Sequence, residues 1–201
     1  MKQLRSLLFL FGCAILVCSC ATTKTLDIWK DEQHTDTLKK TLIIAVARQD
    51  HIRNQFENVL TNHLTDRGVL ASPAHKALPQ LNKDTDPDTA RSLVKKSGFA
   101  NVLILRSIDK SEVTNRQAKG KGYSTTSTGW HSYYTRSHMR VKRSYDTEFF
   151  TLDASIYQIG ETDPFWSYLS RVRVEDSRQM AVNEFVPVLV EQLADSDLLP
   201  R

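Results

Sequence analysis

The apolar positions change their period several times along the chain, and each change marks an element. Residues 41–47 (Thr41, Leu42, Ile43, Ile44, Ala45, Val46, Ala47) are almost continuously apolar and β-branched, the pattern of a strand covered on both faces. Beyond them Ile52, Phe56, Val59, Leu60 and Leu64 recur at helical spacing, so a helix follows with one buried stripe, and Asp50 stands where a carboxylate can cap it. Gly68 stops that helix. With Gly68 in the left-handed conformation, Leu64 and Val69 take the two places whose contact accompanies a Schellman ending. Residues 69–77 then read as a second strand, and Pro73, which has no N–H to give, places it at an edge.

The grammar repeats at Asp86 and Pro87: a capping carboxylate, a proline at the first helical position, then Ala90, Leu93 and Val94 before Gly98 and Phe99. Residues 101–105 (Asn101, Val102, Leu103, Ile104, Leu105) form another continuous apolar strand. Strand, helix, strand, helix, strand favours right-handed crossovers and a parallel sheet. The second half changes style. Phe150, Leu152, Ala154 and Ile156 alternate with polar residues, residues 160–164 supply a turn, and Trp166, Tyr168, Val172 and Val174 alternate again, which predicts an antiparallel hairpin. Asp176, Ser177 and Gln179 resemble a capping box opening a last helix that carries Met180, Phe185, Leu189 and Leu193 and is kinked at Pro187. The expected architecture is α/β with α+β character in the second half: a mixed sheet of about five strands, ordered βαβαβ, then a hairpin and a C-terminal helix. There is no internal repeat of solenoid length.

At the amino terminus, Lys2 and Arg5 precede an apolar run over residues 7–17 that closes on small residues. That run is too short to cross a bilayer as a helix and reads as a secretory signal. Val17, Cys18, Ser19 and Cys20 resemble a bacterial lipobox, with Val17 where leucine is more usual. The resemblance implies a diacylglyceryl group on the Cys20 sulfur, cleavage before Cys20 and acylation of the new amino terminus; the other reading is an ordinary cleaved signal. On the lipobox reading residues 1–19 are the signal, residues 20–28 the lipidated cysteine and a tether, and residues 29–201 a single domain opening at Trp29. Of the 3 cysteines only Cys20 then survives, so the fold stands without a disulfide. Ala21, rather than aspartate, after the cysteine resembles the pattern sorted to the outer membrane, with the domain facing the periplasm or the cell surface.

Several short motifs recur together. The lipobox, Trp29-Lys30-Asp31, the strand at residues 42–46, Gln55-Phe56-Glu57 with Arg67-Gly68-Val69, Gly98-Phe99-Ala100, Ile156-Tyr157 and Phe165-Trp166-Ser167 stand in the order found in a family of uncharacterised Gram-negative outer-membrane lipoproteins. The order of strands and helices also resembles the amino-terminal domains of periplasmic TolB-type and curli-secretion lipoproteins. Both resemblances imply an α/β domain and an envelope location, and neither brings an activity.

Charge adds one feature. Lys2 and Arg5 leave with the signal, so 27 basic and 23 acidic residues become nearly balanced, yet Arg116, Lys119, Lys121, Arg136, Arg140, Lys142 and Arg143 follow one another with no acidic residue between them. Residues 117–145 interleave those cations with Trp130, Tyr133, Tyr134 and other aromatics, a composition able to hold an anionic or sugar-bearing polymer by charge and stacking. The bland alternative is a solvated loop rich in Ser, Thr and Gly. The candidate binding residues are therefore Lys119, Lys121, Trp130, Tyr133, Tyr134, Arg136, Arg140, Lys142 and Arg143, beside Cys20 as the lipidation site.

Catalytic patterns are missing from the sequence. No phosphate-binding Gly-Lys loop and no nucleophile elbow occur, and Lys119-Gly120-Lys121-Gly122 lacks the spacing of the former. His51 and His63 lie about 120° apart around one helix and cannot share a metal. His131 and His138 have no cysteine or acidic residue near them in sequence. Glu148 and Asp153 point to opposite faces of a strand, and Asp146 and Glu148 share one only at its entrance. The expectation is a non-enzymatic envelope lipoprotein with no cofactor and no metal. It is held to the membrane by its lipid and binds or scaffolds an envelope protein or an anionic polymer, not nucleic acid. A hydrolase assembled from scattered residues is the remaining alternative.

Overall fold

The computed structural model describes residues 23–47, 49–82, 84–108, 130, 149–173 and 178–200. Six strands form one sheet: β1 (Thr23–Lys30), β2 (Thr41–Val46), β3 (Ala71–Pro73), β4 (Asn101–Ile108), β5 (Phe149–Gln158) and β6 (Pro164–Arg173), in the order β1-β6-β5-β4-β2-β3. Among the described residues the helices are α1 (Asp50–Asp66), α2 (Ala74–Ala77), α3 (Pro87–Lys96) and α4 (Arg178–Asp195). The α/β class and the mixed sheet stand as expected. β3, β2 and β4 run parallel, and β4, β5, β6 and β1 pair antiparallel.

The sheet has one strand more than the sequence pattern predicts. Residues 23–28, read as tether, belong to β1, which pairs with β6 from Thr23↔Val172 to Lys30↔Trp166. Its alternation is hidden because it is an edge strand with a register shift between Thr25 and Asp27, so apolar and polar residues do not keep a period of two. Residues 69–77 are likewise corrected. β3 is only three residues long, and the chain turns at Pro73 directly into α2. Pro73 does sit on an edge strand, as a residue without an N–H must.

Two helix ends behave as read and one does not. Gly68 has φ +82°, Gly68 N–H donates to Thr65 O at 2.9 Å and Val69 N–H to Leu64 O at 3.0 Å, the paired bonds of a Schellman motif. Asp86 caps α3, accepting from the N–H groups of Asp88 and Thr89 at 3.1 and 3.0 Å. Asp50, by contrast, is the first residue of α1; the cap position is Gln49, which makes no side-chain bond. The capping box at residues 176–177 lies outside the described residues. α4 runs through Pro187, which lies on its exposed side, while Val182, Phe185, Val186, Leu189, Val190 and Leu193 form the buried stripe.

The core has two layers, one on each face of the sheet. On the first face α1 and α4 cover Ile43, Leu103, Leu105, Leu152, Ala154, Ile156, Trp166, Tyr168 and Val172. Phe185 anchors that layer, its ring 6.2 Å from Tyr168 and edge-on to Phe56 at 6.3 Å. On the second face Leu42, Ile44, Val46, Val102, Ile104 and Tyr157 pack against Ala74, Leu78 and Leu81 and against Ala90 and Val94 of α3. Strands that feed both layers must be apolar at every position, which is why β2 and β4 read as continuous runs.

Candidate functional site

The connections from β2 to β3 and from β3 to β4 pass over opposite faces, since α1 belongs to the first layer and α3 to the second. In open α/β sheets, ligands bind beyond the carboxyl ends of the strands where the connections part in this way, here between β2 and β4. Three features meet at that end: a buried carboxylate beside β2, a buried ion pair at the end of β4, and the start of β1.

Glu57 on α1 is fully buried. β3 stops at Pro73, so beyond Ile43↔Pro73 the β2 backbone on that side has no strand partner. Glu57 replaces it: Oε1 accepts from Ala45 N–H at 3.2 Å and from Arg53 Nε at 3.1 Å, while Oε2 takes His75 N–H at 2.8 Å and contacts His75 Nδ1 at 2.6 Å. Arg53 also donates to Leu81 O at 3.3 Å. A carboxylate on histidine Nδ1 is the arrangement that orients an imidazole for proton transfer in hydrolases. Among the described residues, however, no hydroxyl or thiol hydrogen-bonds His75. The oxygens of Glu57 are occupied in tying α1, α2 and β2 together, and that connection is its chemistry.

At the end of β4, Arg106 pairs with Asp153 of β5, Nη2 to Oδ2 3.3 Å, and Ser155 Oγ donates to Asp153 Oδ1 at 3.4 Å. Asp153 is 2% exposed. Register puts Arg106 opposite Asp153 and Ser155 opposite Ser167, so the second face turns from apolar on β2 and β4 to polar on β5 and β6. Asp153 was separated from Glu148 on strand geometry, and Glu148 lies outside the described residues.

The same end of the sheet carries the start of β1. Thr23 pairs with Val172, Phe149 with Arg173, and Ile108 with Thr151, so the amino ends of β1 and β5 and the carboxyl ends of β2, β4 and β6 lie together. Lys24, Arg171 and Arg173 are exposed there. The guanidinium of Arg173 lies 5.3 Å from the ring centroid of Phe149, which is 38% exposed. At the other end of β1, Lys30 Nζ donates to Ser196 O at 2.6 Å, just past the end of α4. His34 stacks on Phe165 at 3.7 Å, where burial lowers its pKa against the opposing pull of Asp36.

Of the binding candidates singled out from the sequence, Trp130 is the one among the described residues. It is 2% exposed and packs in the second core layer with Leu42, Ile44 and Val102. Cys20, Lys119, Lys121, Tyr133, Tyr134, Arg136, Arg140, Lys142 and Arg143 lie outside the described residues, as do His131 and His138. Sequence reasoning missed Glu57 and Arg106. The available signal was a charged residue on an otherwise apolar stripe: Glu57 lies between Phe56 and Leu60, and Arg106 directly follows Leu105. Among the described residues no cluster of three His, Cys, Asp or Glu could hold a metal, and no helix is long and apolar enough to cross a membrane.

No protein-family model matches the chain, and no curated protein does. Among solved structures it is similar to the PelC dodecamer from Paraburkholderia phytofirmans, at 8% identity and a TM-score of 0.47, over 85% of this chain and 96% of that one. A single-residue variant of that PelC dodecamer is similar at 7% identity and a TM-score of 0.43, over 85% of this chain and 97% of that one. At these scores the likeness has no consequence for activity, partner or assembly.

Proposed function

We propose that the chain is a lipoprotein of a Gram-negative outer membrane, held through a lipidated Cys20, whose α/β domain binds or scaffolds another envelope component and catalyses nothing. The observation that carries this reading is the position of β1. The first described strand starts at Thr23, so cleavage before Cys20 would leave Ala21 and Thr22 between the lipid and β1. A first described strand that starts beyond residue 22 leaves the lipobox pattern at residues 17–20 upstream of it, which supports cleavage before Cys20.

The physical chemistry is that of an anchor. Each buried methylene contributes about 0.8 kcal/mol, one acyl chain gives only marginal binding, and the several chains of a bacterial lipoprotein hold firmly. Among the described residues the buried carboxylates, Glu57 and Asp153, are taken up by hydrogen bonds within the fold, which favours a binding module over an enzyme. Mass spectrometry of the protein from bacterial envelopes tests the reading. A mature chain starting at Cys20 with a diacylglyceryl thioether and an amide-linked acyl group is expected, and Cys20→Ser releases the protein from membranes. An intact leader, or a bare sulfur on Cys20, overturns it.

A further inference from the structure

We infer that the anchor end of the sheet bears a basic, aromatic patch, Lys24, Arg171, Arg173 and Phe149, that lies against the anionic headgroups of the membrane holding the lipid. The inference rests on the lipoprotein reading and adds an orientation to it. Reach sets the first constraint: Cys20 is three residues before Thr23, and three extended residues span at most about 11 Å. The start of β1 is therefore held next to the headgroups, and the strand ends aligned with it by register are held there too. The opposite end of the sheet, the turn after Gln158, is about 30 Å away along the ten residues of β5.

Register also decides what that end displays. Lys24 pairs with Arg171 and Arg173 with Phe149, and residues opposed in an antiparallel pair project to one face. Arg171 and Arg173 are two apart on β6, so all four side chains share the second face at its anchor end. All four are exposed. The described acidic residues of this face lie further along the strands: Asp27 is opposite Leu169, and Asp153 is held by Arg106. Arginines flanking an exposed phenyl ring suit an interface where phosphate oxygens meet the first apolar atoms of lipid.

The test uses the full lipidated protein in vesicles. Cys13 and Cys18 leave with the leader and Cys20 carries lipid, so one engineered cysteine provides the only thiol to label. A fluorophore at Thr151→Cys, on the patch face, is compared with one at Glu161→Cys, at the far turn, using a quencher attached to lipid headgroups. Strong quenching at 151 and weak quenching at 161 is expected in phosphatidylethanolamine with phosphatidylglycerol, falling with added salt and absent in phosphatidylcholine. Each basic residue near an anionic surface favours the apposed state about fivefold, so K24Q/R171Q/R173Q together shift it about a hundredfold towards release. Lys24→Gln alone, on the edge strand, gives a fivefold step should the triple variant fold poorly. Lipidated protein quenched equally at both sites, or unaffected by these substitutions, overturns the patch. Self-quenching between labels at 151 identifies a second copy as the occupant and overturns it as well. An unmodified Cys20 overturns the underlying lipoprotein reading instead, and mass spectrometry of the same sample separates the two failures.

Discussion

The two faces of the sheet are built to different specifications. The first is apolar from β2 across to β6 and is roofed by two long helices whose stripes meet over it; Arg67 and Glu191 join those helices by an ion pair at the surface. The second is apolar over β2 and β4, under α2 and α3, and mixes Tyr157 and Leu169 with the polar Asp153, Ser155 and Ser167 over β5 and β6. An uninterrupted apolar face supplies burial, the dominant favourable contribution to folding. A face carrying buried charge supplies less, because a desolvated ion pair is offset by its own lost hydration. Stability is therefore concentrated on the first face. The second face keeps the Arg106–Asp153 pair and, at the end where β1 starts, the exposed cations Lys24, Arg171 and Arg173, so an interaction with a surface or partner is expected there.

That contrast can be broken by substitution, measured as the shift in denaturant midpoint at constant slope. Phe185→Ala, at the centre of the first layer, should cost about 4 kcal/mol through lost transfer free energy and the cavity left behind. Asp153→Ala should cost about 3 kcal/mol, because it leaves Arg106 buried without its carboxylate. The double change Arg106→Met with Asp153→Leu should recover most of that loss, and continued destabilisation in the double variant would show that the polar patch contributes more than desolvation allows. Gly68→Ala, outside both layers, should cost about 1–2 kcal/mol for placing a Cβ at φ +82°.

The smallest effect belongs to Asp86. A bond from the Thr89 side chain, then the Thr89 and Asp88 N–H groups, holds its carboxyl below the usual aspartate range. A carboxyl depressed in the folded state contributes stability that is present above the unfolded pKa of about 3.9 and lost as pH falls through the lower folded value. Asp86→Ala should accordingly lower the thermal midpoint slightly at neutral pH, and the gap from the parent should close as the solution is acidified below the aspartate range. A gap independent of pH would assign the loss to helix propensity instead of the cap.

Legibility followed period. β2 and β4 were readable because strands sandwiched between two layers are apolar at every position, and α1 and α3 because Gly68, Asp86 and Pro87 each fit one local geometry. β1 was not readable: its register shift and exposed outer edge remove the alternation that marks a strand. α2 was hidden in four residues, too few for a helical period, and its position is secured by Glu57 eighteen residues earlier. The candidate site divides in the same way. Cys20 stands out in the sequence because the proposed leader is a linear pattern. The burial of Trp130 in the second layer could not be read from sequence, because an aromatic among basic residues has one composition whether it meets ligand or core.

The sequence by itself determined the class of fold, the order of its main strands and helices, the end of α1 at Gly68 and the start of α3 at Asp86, since period and capping act over a few residues and need no distant partner. Only the tertiary structure decided that β1 lies in the sheet beside β6, that Glu57 completes the backbone pairing where β3 stops, and that Lys24, Phe149, Arg171 and Arg173 share one face at the end where β1 starts. The physical reason is that strand pairing and buried charge join residues more than a hundred positions apart in the chain, as Thr23 is joined to Val172. No window of sequence holds both partners.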